Sequence, residues 1–158
     1  TDGGCIGNPG PGGYGAVILE GESRREIAAG FGLTTNNRME LMACIAALET
    51  LNGPADVVLH SDSRYVVNGI RKGWARKWRA NGWMRTKSER ARNCDLWARL
   101  LELCDRRRVR FVWVHGHAGN RENERCDELA TGAARGPDLQ EDQAYLRDLA
   151  GSPECLSR

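Results

Sequence analysis

Hydrophobic positions recur along the chain with two periods, one typical of helices and one of strands. In TTNNRMELMACIAALETLNG the apolar residues fall three or four positions apart, which predicts a helix with one face in the core. The Asn36–Asn37 pair is expected to cap that helix, and the NGP at its end to stop it. Short apolar runs bounded by turn residues predict strands over 14–21, 25–33, 56–61 and 109–114. Further helices are predicted after Asp62, over 74–81, over 95–106 and over 120–134.

The order of these elements predicts the fold class. A β-ribbon at the start is followed by alternating strands and helices, so we expect an α/β protein with a mixed sheet and helices packed on it. No apolar stretch approaches the ~18 residues of a membrane span, so no such span is predicted. Residues 136–158 are mixed and polar, and we interpret them as a tail with one short helix around 140–149.

The segment GPGGYG, residues 10–15, matches G-x-G-x-x-G, the phosphate-binding fingerprint of dinucleotide-binding proteins. In that fingerprint the glycines follow a strand and open a helix. Here prolines interrupt the run and a strand follows it, so we expect no affinity for NAD. The segment is interpreted instead as a tight turn between two strands.

The formal net charge of +2 conceals a strongly basic segment. Residues 70–92 carry nine Lys or Arg side chains against one acid, Glu89, which gives +8 locally and leaves −6 for the remainder. This asymmetry predicts a polyanionic partner and, elsewhere, carboxylates gathered for a chemical purpose. The six cysteines have no C-x-x-C spacing, which argues against a zinc site.

Four acidic residues stand at positions where acids are unusual: Asp2, Glu40, Asp62 and Asp127. Singly, each has a simpler explanation, for example Asp62 as a helix N-cap or Glu40 as a first-turn acid favoured by the helix dipole. Together they predict a site, because Asp2 and Asp62 are expected at neighbouring strand ends with Glu40 on a helix packed nearby. Clustered carboxylates repel unless a cation neutralises them, and oxygen ligands suit Mg²⁺ or Mn²⁺. Two such ions would support phosphodiester cleavage.

Five segments, TDGGCIGNPGPGGYGAV, TTNNRMELMA, SDS, NCDLW and HGHAGNRENERCDELA, together resemble type 1 ribonuclease H in its bacterial form. The resemblance implies an α/β ribonuclease H-like fold: a mixed five-stranded sheet, made of an antiparallel ribbon plus parallel strands, with helices on both faces. It also implies a catalytic domain over 1–135, with a basic protrusion at about 70–92, before the tail 136–158. Relatives carry several residues before T-D-G, so we expect this chain to begin inside the first strand.

The activity that the resemblance implies is metal-dependent endonucleolytic cleavage of the RNA strand of an RNA/DNA hybrid, giving 5′-phosphate and 3′-hydroxyl ends. Two Mg²⁺ ions, or Mn²⁺, would be held by the four carboxylates Asp2, Glu40, Asp62 and Asp127. His117 matches the family's mobile loop histidine, which assists proton transfer or product release, and Glu124 matches a supporting position near the metals. We expect a cytoplasmic monomer without membrane association.

The resemblance also implies contacts to the hybrid duplex. Asn8, Asn36 and Asn37 match family positions along its minor groove, where an amide can both donate and accept hydrogen bonds. Helix capping is an alternative role for the last two. Arg64 places a cation two residues after Asp62 and is assigned to substrate contact.

The basic segment is expected to bind phosphates of the DNA strand, through Lys77, Arg79 and Arg85. Trp74 and Trp78, four residues apart, are expected to pack within the protein instead. Two other function classes remain open: a binding module of the same fold with weak catalysis, and a metal nuclease acting on DNA. Metal-dependent cutting of the hybrid would argue against the first, and the asparagine set argues against the second.

Overall fold

Six strands and six helices make up the part of the chain described by the structure, a computed structural model covering residues 1–116 and 118–151. The strands are β1 (Asp2–Cys5), β2 (Gly10–Glu20), β3 (Ser23–Thr34), β4 (Asp56–Ser61), β5 (Arg108–Trp113) and β6 (Leu139–Gln140). The helices are α1 (Asn36–Glu49), α2 (Arg64–Arg71), α3 (Trp74–Ala80), α4 (Cys94–Asp105), α5 (Arg121–Ala134) and α6 (Gln143–Leu149). No helix among these residues is long and apolar enough to cross a membrane.

The strands form an antiparallel ribbon and a parallel pair, which confirms the predicted α/β class. β1, β2 and β3 pair antiparallel, and β4 pairs parallel with β5. The expected strand count of five is slightly off, because the two-residue β6 adds to β3 in parallel. The strands also divide into a four-stranded sheet, ordered β1-β2-β3-β6, and the two-stranded β4-β5 sheet. Before β1 begins, the amino group of Thr1 donates to the carbonyl of His60 at 2.9 Å, which links the two sheets.

The prediction of a turn at the segment GPGGYG is wrong. The segment forms the first half of β2, with a register shift between Gly10 and Gly12. Its glycines permit close helix packing. A Cβ on Gly13 or Gly15 would collide with the backbone oxygens of Ala130 or Cys126 on α5. The sequence pattern therefore reflects the approach of a helix to a strand, and not chain reversal.

A second close approach occurs on the opposite face of the ribbon. A Cβ on Gly3 of β1 would collide with the backbone of Met39 on α1. Gly3 pairs with Tyr14 of β2, so these two residues share one face of the ribbon. Gly13 and Gly15 are the neighbours of Tyr14 along β2 and therefore lie on the other face. Because successive residues of a strand point to opposite faces, α1 and α5 cover the two faces of the ribbon.

The main hydrophobic core lies between the helices and the β4-β5 pair, around the completely buried Trp97 of α4. The Trp97 indole donates to the Tyr65 hydroxyl at 2.9 Å, so the polar atom of this buried ring is paired. Trp78 packs edge-on against Trp97, which confirms its predicted packing role. The same prediction is wrong for Trp74, which is 40% exposed and lies under the Lys72 amine.

Residues 136–151 fold against the rest of the chain through a buried ion pair, although their sequence suggested a tail. Asp142 accepts hydrogen bonds from Arg38 Nε at 2.6 Å and from the Thr34 hydroxyl at 2.7 Å. Arg38, which is 1% exposed, also forms an ion pair with Asp95 of α4 at 2.8 Å. The short helix predicted around 140–149 is present as α6.

Candidate active site

Three of the four predicted carboxylates meet where the two sheets come together. Asp2 lies in β1, Glu40 lies in α1, and Asp62 directly follows β4. One oxygen atom from each of these side chains lies within 4.8 Å of the other two. Residues distant in sequence thus converge on one volume that a single cation could occupy.

Burial makes the negative charge of this cluster unfavourable in the absence of a cation. Asp2 is 9% exposed, and burial, followed by the charge of Asp62, raises its pKa to about 7. Burial, followed by the charges of Asp2 and Asp62, also raises the pKa of Glu40 well above its ordinary value. Within the described residues, Glu40 Oε2 and Asp62 Oδ1 are buried without a hydrogen-bond partner. Unpaired, buried oxygens of this kind are suited to a hard divalent cation.

Local packing fixes the position of each carboxylate. The backbone N–H of Gly3 donates to Asp2 Oδ1 at 2.7 Å, and the close contact between Gly3 and α1 brings Glu40 beside it. Asp62 is not the helix N-cap, since the hydroxyl of Ser63 accepts the N–H of Val66 at the start of α2. The Asp62 carboxylate is therefore free to face the cluster.

The loop before α5 borders Asp62 closely. A Cβ on Gly116 would lie 2.6 Å from Asp62 Oδ2, so only glycine fits there without a shift. The Trp113 indole donates to the Asp62 carbonyl at 3.0 Å, which further fixes the end of β4. The Arg64 guanidinium, predicted to contact substrate, lies 4.8 Å from the centre of the Trp113 ring.

Asp127, the fourth predicted carboxylate, lies on α5 at the edge of the cluster. It is half-buried, and its charge contributes to the raised pKa of Asp2. Its oxygens are not among the three that lie within 4.8 Å of one another. The tight packing of α5 against Gly13 and Gly15 holds it on this side of the ribbon.

The predicted loop histidine, His117, lies outside the described residues. Glu124, predicted to have a supporting role, accepts a hydrogen bond from the N–H of Gly119 at 3.2 Å. It therefore connects α5 to the loop in which His117 occurs. His115 is exposed and stacks edge-on against Trp113.

The predicted asparagine contacts lie around the start of α1. Asn36 does not cap this helix, because the Thr35 side chain accepts the N–H of Arg38 instead. Asn36 Oδ1 accepts the N–H of Cys5 at 2.8 Å, and Asn8 Oδ1 accepts the N–H of Asn36 at 3.2 Å. Two of the three asparagines thus join β1, the following loop and α1, and Asn37 is exposed beside them.

The predicted phosphate contacts differ in how their charges are balanced. Arg79 forms an ion pair with Asp105 at 3.0 Å, and Arg85 with Glu89, whereas Lys77 is exposed. Sequence reasoning did not single out Arg90 and Arg92. Both are exposed and line a groove with Asn8 and Asn37, and neither has an ion-pair partner in the described part of the chain. Only their proximity to the asparagines in space distinguishes them from the other cations.

Solved structures share this architecture. One is "LC9-RNase H1, a type 1 RNase H with the type 2 active-site motif", with a TM-score of 0.74 and 29% identity, covering 96% of this chain and 80% of that chain. Another is LC11-RNase H1 in complex with an RNA/DNA hybrid, with a TM-score of 0.61 and 27% identity, covering 84% of this chain and 92% of that chain. The fold and the carboxylate cluster define a metal-dependent nuclease of the ribonuclease H type.

Sequence comparison identifies the family within this class. The ribonuclease H of Desulforamulus reducens is 63% identical over 139 residues, which cover 88% of this chain and 87% of the relative. The RNase H family model matches residues 1–135. The chain belongs to the ribonuclease H family, in its type 1 bacterial form.

Proposed function

We propose that this chain is an endonuclease that hydrolyses the RNA strand of RNA/DNA hybrids. The observation that carries the proposal is the cluster of Asp2, Glu40 and Asp62, in which two buried oxygens, Glu40 Oε2 and Asp62 Oδ1, lack hydrogen-bond partners within the described residues. Family membership supports the reaction class, and one solved relative was captured with an RNA/DNA hybrid.

The cluster fits Mg²⁺, or Mn²⁺, because all its donors are carboxylate oxygens. Asp2, Glu40 and Asp62 would hold one ion, and Asp127 at the edge would help to hold a second, with Asp2 shared by both. When bound, such ions activate water and neutralise charge on the leaving oxygen of a phosphodiester. The expected products carry 5′-phosphate and 3′-hydroxyl ends.

The remaining groups would bind and orient the duplex. Asn8, Asn36 and Asn37 present amides to the minor groove, where they can distinguish 2′-hydroxyls from hydrogen atoms. Exposed cations of the basic segment, with Lys77 as the clearest example, would bind phosphates at a distance from the reacting bond. Glu124 would hold the loop containing His117, and His117 would assist proton transfer or product release.

We further propose that the chain acts as a cytoplasmic monomer and that 1–135 is its catalytic unit. The monomer is supported by the origin of the site, since all the carboxylates and asparagines assigned to it come from one chain. A second copy is not needed to complete the cluster.

The proposal is tested with a labelled RNA/DNA duplex, incubated with the chain in Mg²⁺ or in EDTA. We expect cleavage of the RNA strand in Mg²⁺ only, and neither duplex DNA nor duplex RNA should be cut at a comparable rate. Asp62→Asn should abolish cutting, whereas Asp56→Asn, at an exposed carboxylate that begins the preceding strand β4, should not. Hybrid binding without cutting would identify a binding module, and efficient cutting of duplex DNA would identify a different nuclease.

A further inference from the structure

A groove with a volume of ≈ 640 Å³ lies beside the predicted minor-groove contacts and is bordered by the C-terminal helix α6. Asn8 and Asn37 line one wall, and Arg90 and Arg92 line another. Tyr145, on α6, lines the third. This helix lies beyond residues 1–135, which the RNase H family model matches.

The position of α6 beside this groove is fixed by a buried contact. Asp142, which is 3% exposed, caps the helix by accepting the N–H of Tyr145 at 3.3 Å. The same carboxylate forms an ion pair with the buried Arg38 of α1. Because α1 also carries Asn37, the ion pair between Arg38 and Asp142 sets the distance between α6 and the wall of the groove that Asn37 lines.

The groove presents several hydrogen-bond donors and one negative charge. The Tyr145 hydroxyl has no hydrogen-bond partner among residues 1–116 and 118–151. Arg90 and Arg92 are also without ion-pair partners in those ranges. Asp148, one turn after Tyr145, lines the same groove. Burial, together with the charges of Asp95 and Asp142, raises the pKa of Asp148 above its ordinary value.

We propose that α6 forms part of the hybrid-binding surface, where the groove takes a sugar–phosphate segment of the duplex. The Tyr145 hydroxyl donates a hydrogen bond to a phosphate oxygen, as tyrosines commonly do at nucleic-acid backbones. Asp148 faces the same phosphates and weakens their binding by like-charge repulsion. This inference rests on the proposed function, and it assigns to the C-terminal segment a role in binding strength.

The test is hybrid binding in EDTA, measured by fluorescence anisotropy, for the full chain and two single substitutions. Tyr145→Phe keeps the ring and removes the hydroxyl, and should raise Kd by about 3- to 10-fold, the effect of one hydrogen bond. Asp148→Asn should lower Kd by about 2- to 5-fold, as for an exposed charge pair. In cleavage assays with Mg²⁺, both changes should appear in KM more than in kcat.

Matched controls distinguish groove contacts from general effects. Asp138→Asn removes an exposed carboxylate outside the groove, and Tyr14→Phe removes a hydroxyl from β2. Both should leave Kd within twofold of the unsubstituted chain. Thermal unfolding of every variant checks that α6 remains folded, and a merely structural defect would not make Asp148→Asn bind more tightly.

The outcomes separate this inference from the proposed function. If the unsubstituted chain binds and cuts the hybrid while Tyr145→Phe and Asp148→Asn behave like their controls, α6 is not part of the surface. If the unsubstituted chain does not bind the hybrid at all, both the inference and the proposed function are overturned.

Discussion

The carboxylate cluster and the basic segment 70–92 differ in how their charge is balanced. In the cluster, negative charges are brought together and buried, and two of their oxygens find no partner among the described residues. In the basic segment, positive charges lie at the surface, and several are already neutralised by acids of the same chain. Charged groups without a partner in the protein therefore indicate the reaction site better than the net charge of a segment does.

The largest effect is expected from changing one oxygen ligand of the cluster. Glu40→Gln should reduce hybrid cleavage by about 10²–10³-fold, the usual effect of removing one preorganised electrostatic group. Its control is Glu49→Gln, a change at the other end of the same helix. The test compares the cleavage rates of the two variants at saturating concentrations of the hybrid. Equal activities would show that the cluster is not where the reaction occurs.

The repulsion within the cluster also predicts how pH affects the metal-free chain. Asp2 ionises near 3.8 when unfolded and near 7 when folded, so the folded state binds more protons between these values. The free energy of unfolding should therefore fall as pH rises from about 4 to 7, and then stay low. Asp2→Asn should stabilise the metal-free chain at pH 8 by roughly 2–4 kcal/mol, and much less at pH 4.

Urea unfolding in EDTA at both pH values measures this difference. The exposed Asp56→Asn serves as the control, since it removes a carboxylate that is not buried. A stabilisation by Asp2→Asn that is equal at the two pH values would contradict the assignment of a raised pKa to Asp2.

The geometry of the cluster is expected to depend on a glycine as well as on acids. Gly3→Ala would bring a methyl group into the backbone of α1 and displace Glu40, with a loss of about 1–3 kcal/mol in stability. Gly4→Ala, at the next residue, meets no atom within 4 Å and should change stability by less than about 0.5 kcal/mol. Unfolding and hybrid cleavage are measured on both. Similar losses for the two would show that packing against α1 does not set the site.

The smallest effects are expected in the basic segment. Their size should depend on whether the cation that is removed already forms an ion pair within the protein. Lys77→Ala should reduce the slope of log Kd against log salt for the hybrid by up to about 1. Arg79→Ala should reduce it less, because Asp105 already neutralises this guanidinium. Binding titrations at several salt concentrations distinguish the two. A larger change for Arg79 than for Lys77 would mean that the ion pair opens when the duplex binds.

The sequence predicted the elements of the fold well, since their apolar periods are long and regular. The convergence of Asp2, Glu40 and Asp62 was also predicted, but its geometry differs: Asp2 is the first residue of β1, in a different sheet from the strand that Asp62 follows. The ion pair between Arg79 and Asp105 was not predicted, since its partners are 26 residues apart on different helices. Local charge counting cannot detect such neutralisation.

Two further differences arise from tertiary contacts that override local signals. GPGGYG contains the residues of a turn, yet it extends as a strand because α5 packs where side chains would stand. Residues 136–151 have the polar composition of a tail, yet Asp142 is buried against Thr34 and Arg38, more than 100 positions earlier in the chain. In both cases the deciding contact is absent from the local sequence.

The contact between Arg38 and Asp142 also sets a limit on when the chain can finish folding during its synthesis. The two residues are separated by 104 positions, so α1 emerges from the ribosome long before its acidic partner exists. Until residue 142 has been made, the guanidinium of Arg38 must remain hydrated or rely on Asp95 alone. The position of α1, and with it those of Asn36, Asn37 and Glu40, is therefore fully fixed only after residue 142 has been made.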